Sequence, residues 1–138
     1  MDARCVSVSA SKVLSGLWVG DWQDAKADQQ LVKVTVAVDS PFIGQYHFHL
    51  VDGPNPGNRE AMADAVKTVG QLRDGGTQVM VHCVSGISRS PAVVVGYLMH
   101  TYGLDYDGAL SLVRKSRPIA NPVPALEELV KEIYGGHR

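Results

Sequence analysis

The stretch HCVSGISRS at 82–90 places one cysteine and one arginine at a spacing that suits anion chemistry. Between Cys83 and Arg89 stand five residues, three of which are serine or glycine. A short loop of small residues can turn successive backbone N–H groups inward and form a nest for an anion. The arginine adds a planar fork that binds two oxygens of a phosphate at once. Residues 83–88, here called the anion loop, therefore predict a site for a tetrahedral dianion above a thiol.

The segments on each side of the anion loop predict how it is held. TQVMVH at 77–82 is a short apolar run, typical of a strand covered on both faces. AVVVGYLM at 92–99 predicts a buried central helix. We expect this helix to have Ser90 as its N-cap and Pro91 at its first position, where proline's missing N–H costs nothing. The positive end of the helix dipole then faces the anion.

This arrangement predicts nucleophilic chemistry at Cys83. A positive field favours the thiolate, which is the reactive form of a cysteine. The thiolate can attack phosphorus while the loop amides and Arg89 stabilise the phosphoryl oxygens. Ser90 can donate its hydroxyl to the sulfur and help it leave when the intermediate is hydrolysed. His82 is expected to orient the loop by hydrogen bonds to the backbone, because a thiolate needs no general base.

The rest of the chain mixes strands with helices. Strand patterns cover 6–9, 17–19, 31–38 and 46–51, and helical patterns cover 23–30, 58–74 with Asn58 as N-cap, 90–102, 105–116 and 126–133. Strands that precede and interleave with helices predict an α/β domain. In such a domain the site lies at the carboxyl end of a strand.

Length and composition indicate the class of protein. The chain has 138 residues, of which 45% are hydrophobic and 20% charged, with a formal net charge of -1. These values predict one globular domain over 1–138, and we expect it to be a monomer. A net charge so close to zero does not indicate a basic surface for binding nucleic acid or a membrane. Two cysteines far apart and no spanning or signal segment predict a cytoplasmic location.

HCVSGISRS resembles the HCxxGxxRS/T signature of the cysteine-dependent protein phosphatases. The surrounding pattern, over about residues 12–134, is similar to the small dual-specificity phosphatases, particularly the compact microbial type. The resemblance implies a protein-tyrosine-phosphatase-like fold, with a central, mainly parallel, twisted sheet of four or five strands flanked by helices. It also implies hydrolysis of phosphotyrosine, and of phosphoserine and phosphothreonine in proteins, through a cysteinyl-phosphate intermediate without cofactor or metal.

The resemblance also implies roles for individual residues. FHLVDGPNPGN at 48–58 is similar to the family's mobile loop, which makes Asp52, 31 positions before Cys83, the general acid. RPIANP at 117–122 resembles a segment that supports the loop, and Asn121 with His82 would provide that support. The implied substrate-binding residues are Val84, Ser85, Gly86, Ile87, Ser88 and Arg89.

Some residues keep a second interpretation. Asp52 also suits a turn in a Pro/Gly-rich loop. His47 and His49 share a face of a predicted strand and are able to bind a metal, but no third ligand has suitable spacing, which favours surface or core histidines. A resolving role for Cys5 toward an oxidised active-site thiol is open. The competing candidates for the general acid are Asp21, Asp24 and Asp39.

Other functions compete with protein dephosphorylation. A phosphoinositide phosphatase or an RNA 5′-phosphatase can share the loop, but the neutral loop residues disfavour densely anionic substrates. A rhodanese-type sulfurtransferase also uses a cysteine loop, but the glycine, arginine and serine that follow here favour phosphate. An inactive phosphate-binding module is disfavoured because a nucleophile, an anion-binding arginine and a candidate acid are all present.

Overall fold

Among the residues that the structure describes, five short strands form a sheet at the centre of the fold. The computed structural model describes residues 10–136. The strands are β1 (Ser11–Leu14), β2 (Leu17–Gly20), β3 (Val32–Thr35), β4 (Tyr46–His47) and β5 (Val79–His82). Their order in the sheet is β1-β2-β5-β3-β4. Only the pair β1 and β2 is antiparallel, so the expected mainly parallel sheet is confirmed.

Five helices complete the described residues and flank the sheet. They are α1 (Trp22–Ala27), α2 (Asn58–Asp74), α3 (Arg89–Tyr102), α4 (Tyr106–Ser116) and α5 (Pro124–Tyr134). Helix α4 begins as predicted, with Asp105 accepting a hydrogen bond from the N–H of Gly108 at 2.8 Å. Within residues 10–136 no helix has both the length and the apolar character needed to cross a membrane.

Strand β5 lies in the middle of the sheet and is covered on both faces. Val79 and Val81 are fully buried in the main core, together with helices α2 to α5. Met80 points to the other face, where it meets Ala25 and Leu31. Successive side chains of a strand point to opposite faces, so a strand between two layers must be apolar throughout. The predicted strand covered on both faces is confirmed at Val79–His82, two residues shorter at its start than the predicted 77–82.

The predicted strands 31–38 and 46–51 are longer than the observed ones. Thr35 is the last residue of β3 and pairs with His82, the last residue of β5. Beyond this pair the N–H of Val36 donates to the carbonyl of His82 at 2.9 Å, and beyond β4 the N–H of Phe48 donates to the carbonyl of Thr35 at 2.8 Å. After Val36 the chain leaves the sheet and lines one side of the candidate active site described below. The strand predicted at 6–9 lies outside the described residues, and β1 was not predicted.

The prediction that Ser90 caps α3 is wrong. The cap residue is Ser88, the helix begins at Arg89, and Pro91 is its third residue. The first four N–H groups of any helix lack a partner within the helix, so proline is tolerated at the third position as well as the first. The cap was therefore misplaced by two residues, because the local pattern permits both starts.

Helix α1 ends at Ala27, before the predicted end at 30. The carboxylate of Asp28 accepts hydrogen bonds from the N–H groups of Gln30 at 3.0 Å and Leu31 at 2.6 Å. An aspartate whose carboxylate accepts hydrogen bonds from the N–H groups of the residues that follow it favours a turn over a helix. This turn directs the chain into β3.

Candidate active site

The anion loop joins the end of β5 to the start of α3, as expected. Cys83 is 1% exposed, and its Sγ accepts a hydrogen bond from the N–H of Gly86 at 3.3 Å. Gly86 has a φ of 71°, in the left-handed region. A Cβ there would collide with Arg117 and lie 2.8 Å from the carbonyl carbon of Gly20. Both backbone angle and space therefore require glycine at this position.

Ser90 lies beside the thiol. Its Oγ is 3.2 Å from Cys83 Sγ and is also placed to donate to the carbonyl of Gly20 at 3.2 Å. A hydroxyl has one proton and cannot donate to both acceptors at once. When Cys83 is a thiolate, its sulfur has no proton. The hydrogen bond between Ser90 and Cys83 is then donated by the Ser90 hydroxyl.

Arg89 is buried at the first position of α3, with 8% of its side chain exposed. Its Nη1 donates to Asp39 Oδ1 at 2.7 Å and to the carbonyl of Leu50 at 3.1 Å. Within residues 10–136 its Nε and Nη2 make no hydrogen bond. One side of the guanidinium is thus held, and two donors remain for an anion.

The three competing acid candidates, Asp39, Asp21 and Asp24, already form hydrogen bonds. The hydrogen bond from Arg89 holds the pKa of Asp39 below its usual value, and its carboxylate is already bound to that guanidinium. Asp21 and Asp24 form a capping box at α1, each carboxylate accepting the backbone N–H of the other at 2.7 and 3.0 Å. Asp52 is the acid candidate without such an engagement.

Asp52 is exposed on the loop between β4 and α2. Asn58 holds the backbone on both sides of it: Asn58 Oδ1 accepts from the N–H of Val51 at 2.9 Å, and Nδ2 donates to the carbonyls of Val51 at 3.0 Å and Gly53 at 2.9 Å. Leu50, two residues earlier, contacts Arg89. The loop is therefore anchored beside the site, while the Asp52 carboxylate makes no hydrogen bond within the described residues.

Asn58 is a functional-site neighbour that the sequence analysis assigned incorrectly. It was predicted to cap α2, but the cap residue is Gly57 and Asn58 is the first helical residue. Asn58 is 3% exposed, and its side chain forms hydrogen bonds across the loop instead of capping the helix. No short-range pattern distinguishes these two uses of an asparagine.

His82 is fully buried below the anion loop. Its Nε2 is 2.7 Å from Thr35 Oγ1, and its Nδ1 is 3.3 Å from the carbonyl of Cys83. Burial lowers the pKa of His82 to about 4, so the imidazole is neutral at physiological pH. The ring therefore links the start of the loop to the neighbouring strand without adding charge.

The segment 117–123 contacts the anion loop mainly through its backbone. The N–H of Asn121 donates to the carbonyl of Ile87 at 2.6 Å, and the N–H of Val123 donates to Ser88 Oγ at 2.9 Å. The Asn121 side chain instead accepts from Arg114 at 3.4 Å. The segment supports the loop, but Asn121 takes part through its main chain.

Sequence reasoning missed Arg117. This arginine is 6% exposed and its Nε donates to the carbonyl of Gly86 at 2.7 Å. The available signal was its place in RPIANP, the segment already singled out, directly after a predicted helix. Its burial against the loop could not be read from that place.

The contacts of His47 and His49 do not indicate a metal site. The rings of His47 and His49 lie 4.4 Å apart, and His47 Nε2 is 2.8 Å from the carbonyl of Ala37. Residues 10–136 contain no group of three or more side chains that could hold a metal ion. Cys5 lies outside the described residues.

Comparisons with known proteins agree with this geometry. The family model for the dual specificity phosphatase catalytic domain matches residues 17–134. Dual specificity protein phosphatase 15 of Rattus norvegicus is 35% identical over 132 residues, covering 88% of this chain and 56% of that protein. Dual specificity protein phosphatase 22 of Homo sapiens is 29% identical, covering 88% of this chain and 72% of that protein. The chain thus spans little more than half of the rat relative.

Solved structures show the same fold. The crystal structure of human DUSP28 has a TM-score of 0.81 at 22% identity, covering 96% of this chain and 97% of that one. The crystal structure of DUSP15 has a TM-score of 0.79 at 26% identity, covering 92% of this chain and 88% of that one.

Proposed function

The chain belongs to the dual-specificity phosphatase family, and from that membership we propose that it hydrolyses phosphotyrosine, and phosphoserine and phosphothreonine, in proteins. The observation that carries the proposal is the constellation around Cys83. A buried thiol lies at the base of the anion loop, and Arg89 keeps two donors without a partner in the described residues. The helix that starts at Arg89 adds its positive end at the same point.

In the first step Cys83 Sγ, as the thiolate, attacks phosphorus in line with the leaving oxygen. The S–P bond forms as the P–O bond to the substrate side chain breaks, and Asp52 gives its proton to that oxygen. Arg89 and the loop amides stabilise the three remaining oxygens, over which the negative charge is spread in the transition state.

In the second step the deprotonated Asp52 takes a proton from water, and the water oxygen attacks phosphorus. The S–P bond breaks and inorganic phosphate forms. Ser90, 3.2 Å from the sulfur, donates its hydroxyl to the thiolate as it leaves. The residues of this scheme need no metal or cofactor.

The proposal extends to substrate class and setting. The side chains of Val84, Ser85, Ile87 and Ser88 carry no charge, which favours a single phosphate over a densely anionic phosphoinositide or RNA end. We further propose one catalytic domain over 1–138 that acts as a cytoplasmic monomer on phosphorylated proteins, without nucleic-acid or membrane partners. That the chain is of the compact microbial type stays a prediction.

A substrate panel tests the proposed function. The purified chain is expected to release phosphate from a phosphotyrosine peptide with the highest kcat/KM, followed by phosphoserine and phosphothreonine peptides. A phosphoinositide and an RNA 5′-phosphate should react more slowly, and thiosulfate should not be consumed. Cys83→Ser protein prepared in parallel measures contaminating phosphatase. A higher kcat/KM on the lipid or the RNA end rejects the protein substrate, and consumption of thiosulfate supports the sulfurtransferase.

Asp52→Asn is expected to act according to the leaving group. Tyrosine phosphate expels an oxygen whose conjugate acid has a pKa of about 10, which needs a proton in the transition state. An aryl phosphate with an acidic phenol barely needs one. The variant should therefore lose about 10²–10⁴-fold in kcat/KM on the phosphotyrosine peptide and far less on the activated ester.

Asp74→Asn, at the exposed end of α2, is the matched control and should leave both rates unchanged. Equal losses on both substrates with Asp52→Asn would mean that this residue only shapes its loop. The acid role would then be withdrawn.

A further inference from the structure

We propose that Arg117 is a positioning residue, which aims the amides of the anion loop at the bound phosphate by holding the carbonyls of the same peptide groups. The inference rests on the proposed function, since it assigns how that site is assembled. It concerns a residue that touches neither the phosphate nor Cys83 in the scheme above.

The contacts of Arg117 reach from the loop to the sheet. Its Nε donates to the carbonyl of Gly86 at 2.7 Å, and its Nη2 donates to the carbonyl of Ser85 at a longer 3.4 Å. Its Nη1 donates to Ser11 Oγ on β1 at 3.1 Å. The side chain is thus held at its far end by the sheet while two of its nitrogens meet consecutive carbonyls of the anion loop.

The planarity of the peptide group turns these two contacts into an orientation of donors. In a trans peptide the C=O of one residue and the N–H of the next point in opposite directions. Holding the Ser85 carbonyl toward Arg117 therefore turns the N–H of Gly86 away from it, and that N–H does donate to Cys83 Sγ at 3.3 Å. Holding the Gly86 carbonyl likewise turns the N–H of Ile87 away, where Ser85 Oγ now accepts it at 3.2 Å.

Glycine at 86 makes this orientation depend on an external restraint. Its φ of 71° has little intrinsic preference over other values, because glycine lacks the Cβ that limits the backbone. The carbonyl of Gly86 could rotate if nothing held it. The hydrogen bond from a charged guanidinium is stronger than one from a neutral donor, which suits Arg117 to this restraint.

Alternatively, Arg117 only stabilises the fold. The two roles differ in what each predicts for binding by the folded protein. A positioning role requires that oxyanion affinity and kcat fall together in the fraction that is folded. A purely structural role requires a lower unfolding midpoint with unchanged affinity and kcat per folded molecule.

The experiment uses Arg117→Lys, which keeps the charge but has one nitrogen in place of three, and Arg117→Met, which removes all donors. Vanadate, as a probe of the transition-state geometry, should bind both variants more weakly, and kcat on the phosphotyrosine peptide should fall by about 10²-fold, with KM changing less. Circular dichroism melting measures how much of each variant is folded. Wild-type vanadate affinity and kcat in folded Arg117→Lys protein overturn the proposal.

Arg73→Lys is the matched control. Arg73 also makes three hydrogen bonds, to the Tyr97 and Tyr102 hydroxyls and to the carbonyl of Ser15, and none of these acceptors lies in the anion loop. It should lower the melting midpoint without changing vanadate affinity. An equal loss of affinity in this control would show a general effect of arginine removal and reject the positioning role.

Ser11→Ala decides the question if neither Arg117 variant folds. It removes one acceptor of Nη1 and leaves the loop untouched, so a smaller loss in vanadate affinity and kcat is expected, and an unchanged affinity rejects the proposal. Vanadate binding by the wild-type chain is measured without any substrate. If that chain binds vanadate but hydrolyses no phosphopeptide, the proposed function fails while the Arg117 comparison still stands.

Discussion

Cys83→Ser is expected to lower kcat by about 10⁴-fold or more while leaving oxyanion binding nearly intact. Binding belongs to the loop amides and Arg89, whereas bond formation to phosphorus belongs to the sulfur. A serine hydroxyl is a weaker acid and a weaker nucleophile than a cysteine thiol, so it cannot replace the sulfur in the attack. Steady-state kinetics on a phosphotyrosine peptide and titration of the same preparation with inorganic phosphate measure the two quantities separately.

Cys5→Ser, at the chain's other cysteine, is the control and should keep wild-type turnover. It separates loss of the nucleophile from a general effect of removing a thiol. Residual kcat above about a hundredth of wild type in Cys83→Ser would refute the nucleophile assignment, given how completely such substitutions act in other enzymes.

Arg89→Lys should be the second most damaging change, with kcat/KM lower by about 10³-fold. Asp39 and the carbonyl of Leu50 hold Nη1, which leaves Nε and Nη2 for two phosphate oxygens. A lysine ammonium is a point charge, which cannot keep the first contact and also make two parallel ones. The kinetics should show a fall in kcat together with weaker vanadate binding.

Arg59→Lys provides the matched control, since Arg59 forms an exposed ion pair with Glu132 in which its side chain is 60% exposed. Exposed pairs of this kind contribute little, so activity and stability should stay at wild-type values. If Arg89→Lys also stays within about tenfold of wild type, the loop amides alone stabilise the transition state and the bidentate role is wrong.

Much of the candidate site could be predicted because it is local in the chain. The nucleophile, the loop amides, the arginine and Ser90 fall within 82–90, between a strand and a helix that the apolar pattern already predicted. Contacts across so few residues depend on backbone geometry and residue size, both of which a motif specifies. The fold and the family were predicted from the same stretch and its context, and both are confirmed.

Predictions failed where one polar side chain had two possible partners. Ser90 was predicted both to cap α3 and to donate to the Cys83 sulfur. Its hydroxyl lies against the sulfur and the carbonyl of Gly20, and it does not cap the helix. Asn58 was predicted to cap α2, but its amide holds Val51 and Gly53. In both cases a contact with a preceding segment replaced the capping bond within the first turn of the helix. The local pattern alone cannot rank the two, because each satisfies the same hydrogen-bonding groups.

Only the tertiary structure decided which distant residues surround the anion loop. Asp39 meets Arg89 across 50 positions, and Arg117 meets Gly86 across 31. The first contact follows from the strand order, because β3 lies beside β5 and the segment after β3 reaches the carboxyl end of β5. The second follows from the packing of α4 against α3 and β1, because Arg117 is the residue at which α4 ends. Types and spacing along the chain determined what the loop can bind. The assembly of the sheet determined which side chains hold it, because separations of tens of residues are closed by packing and not by local geometry.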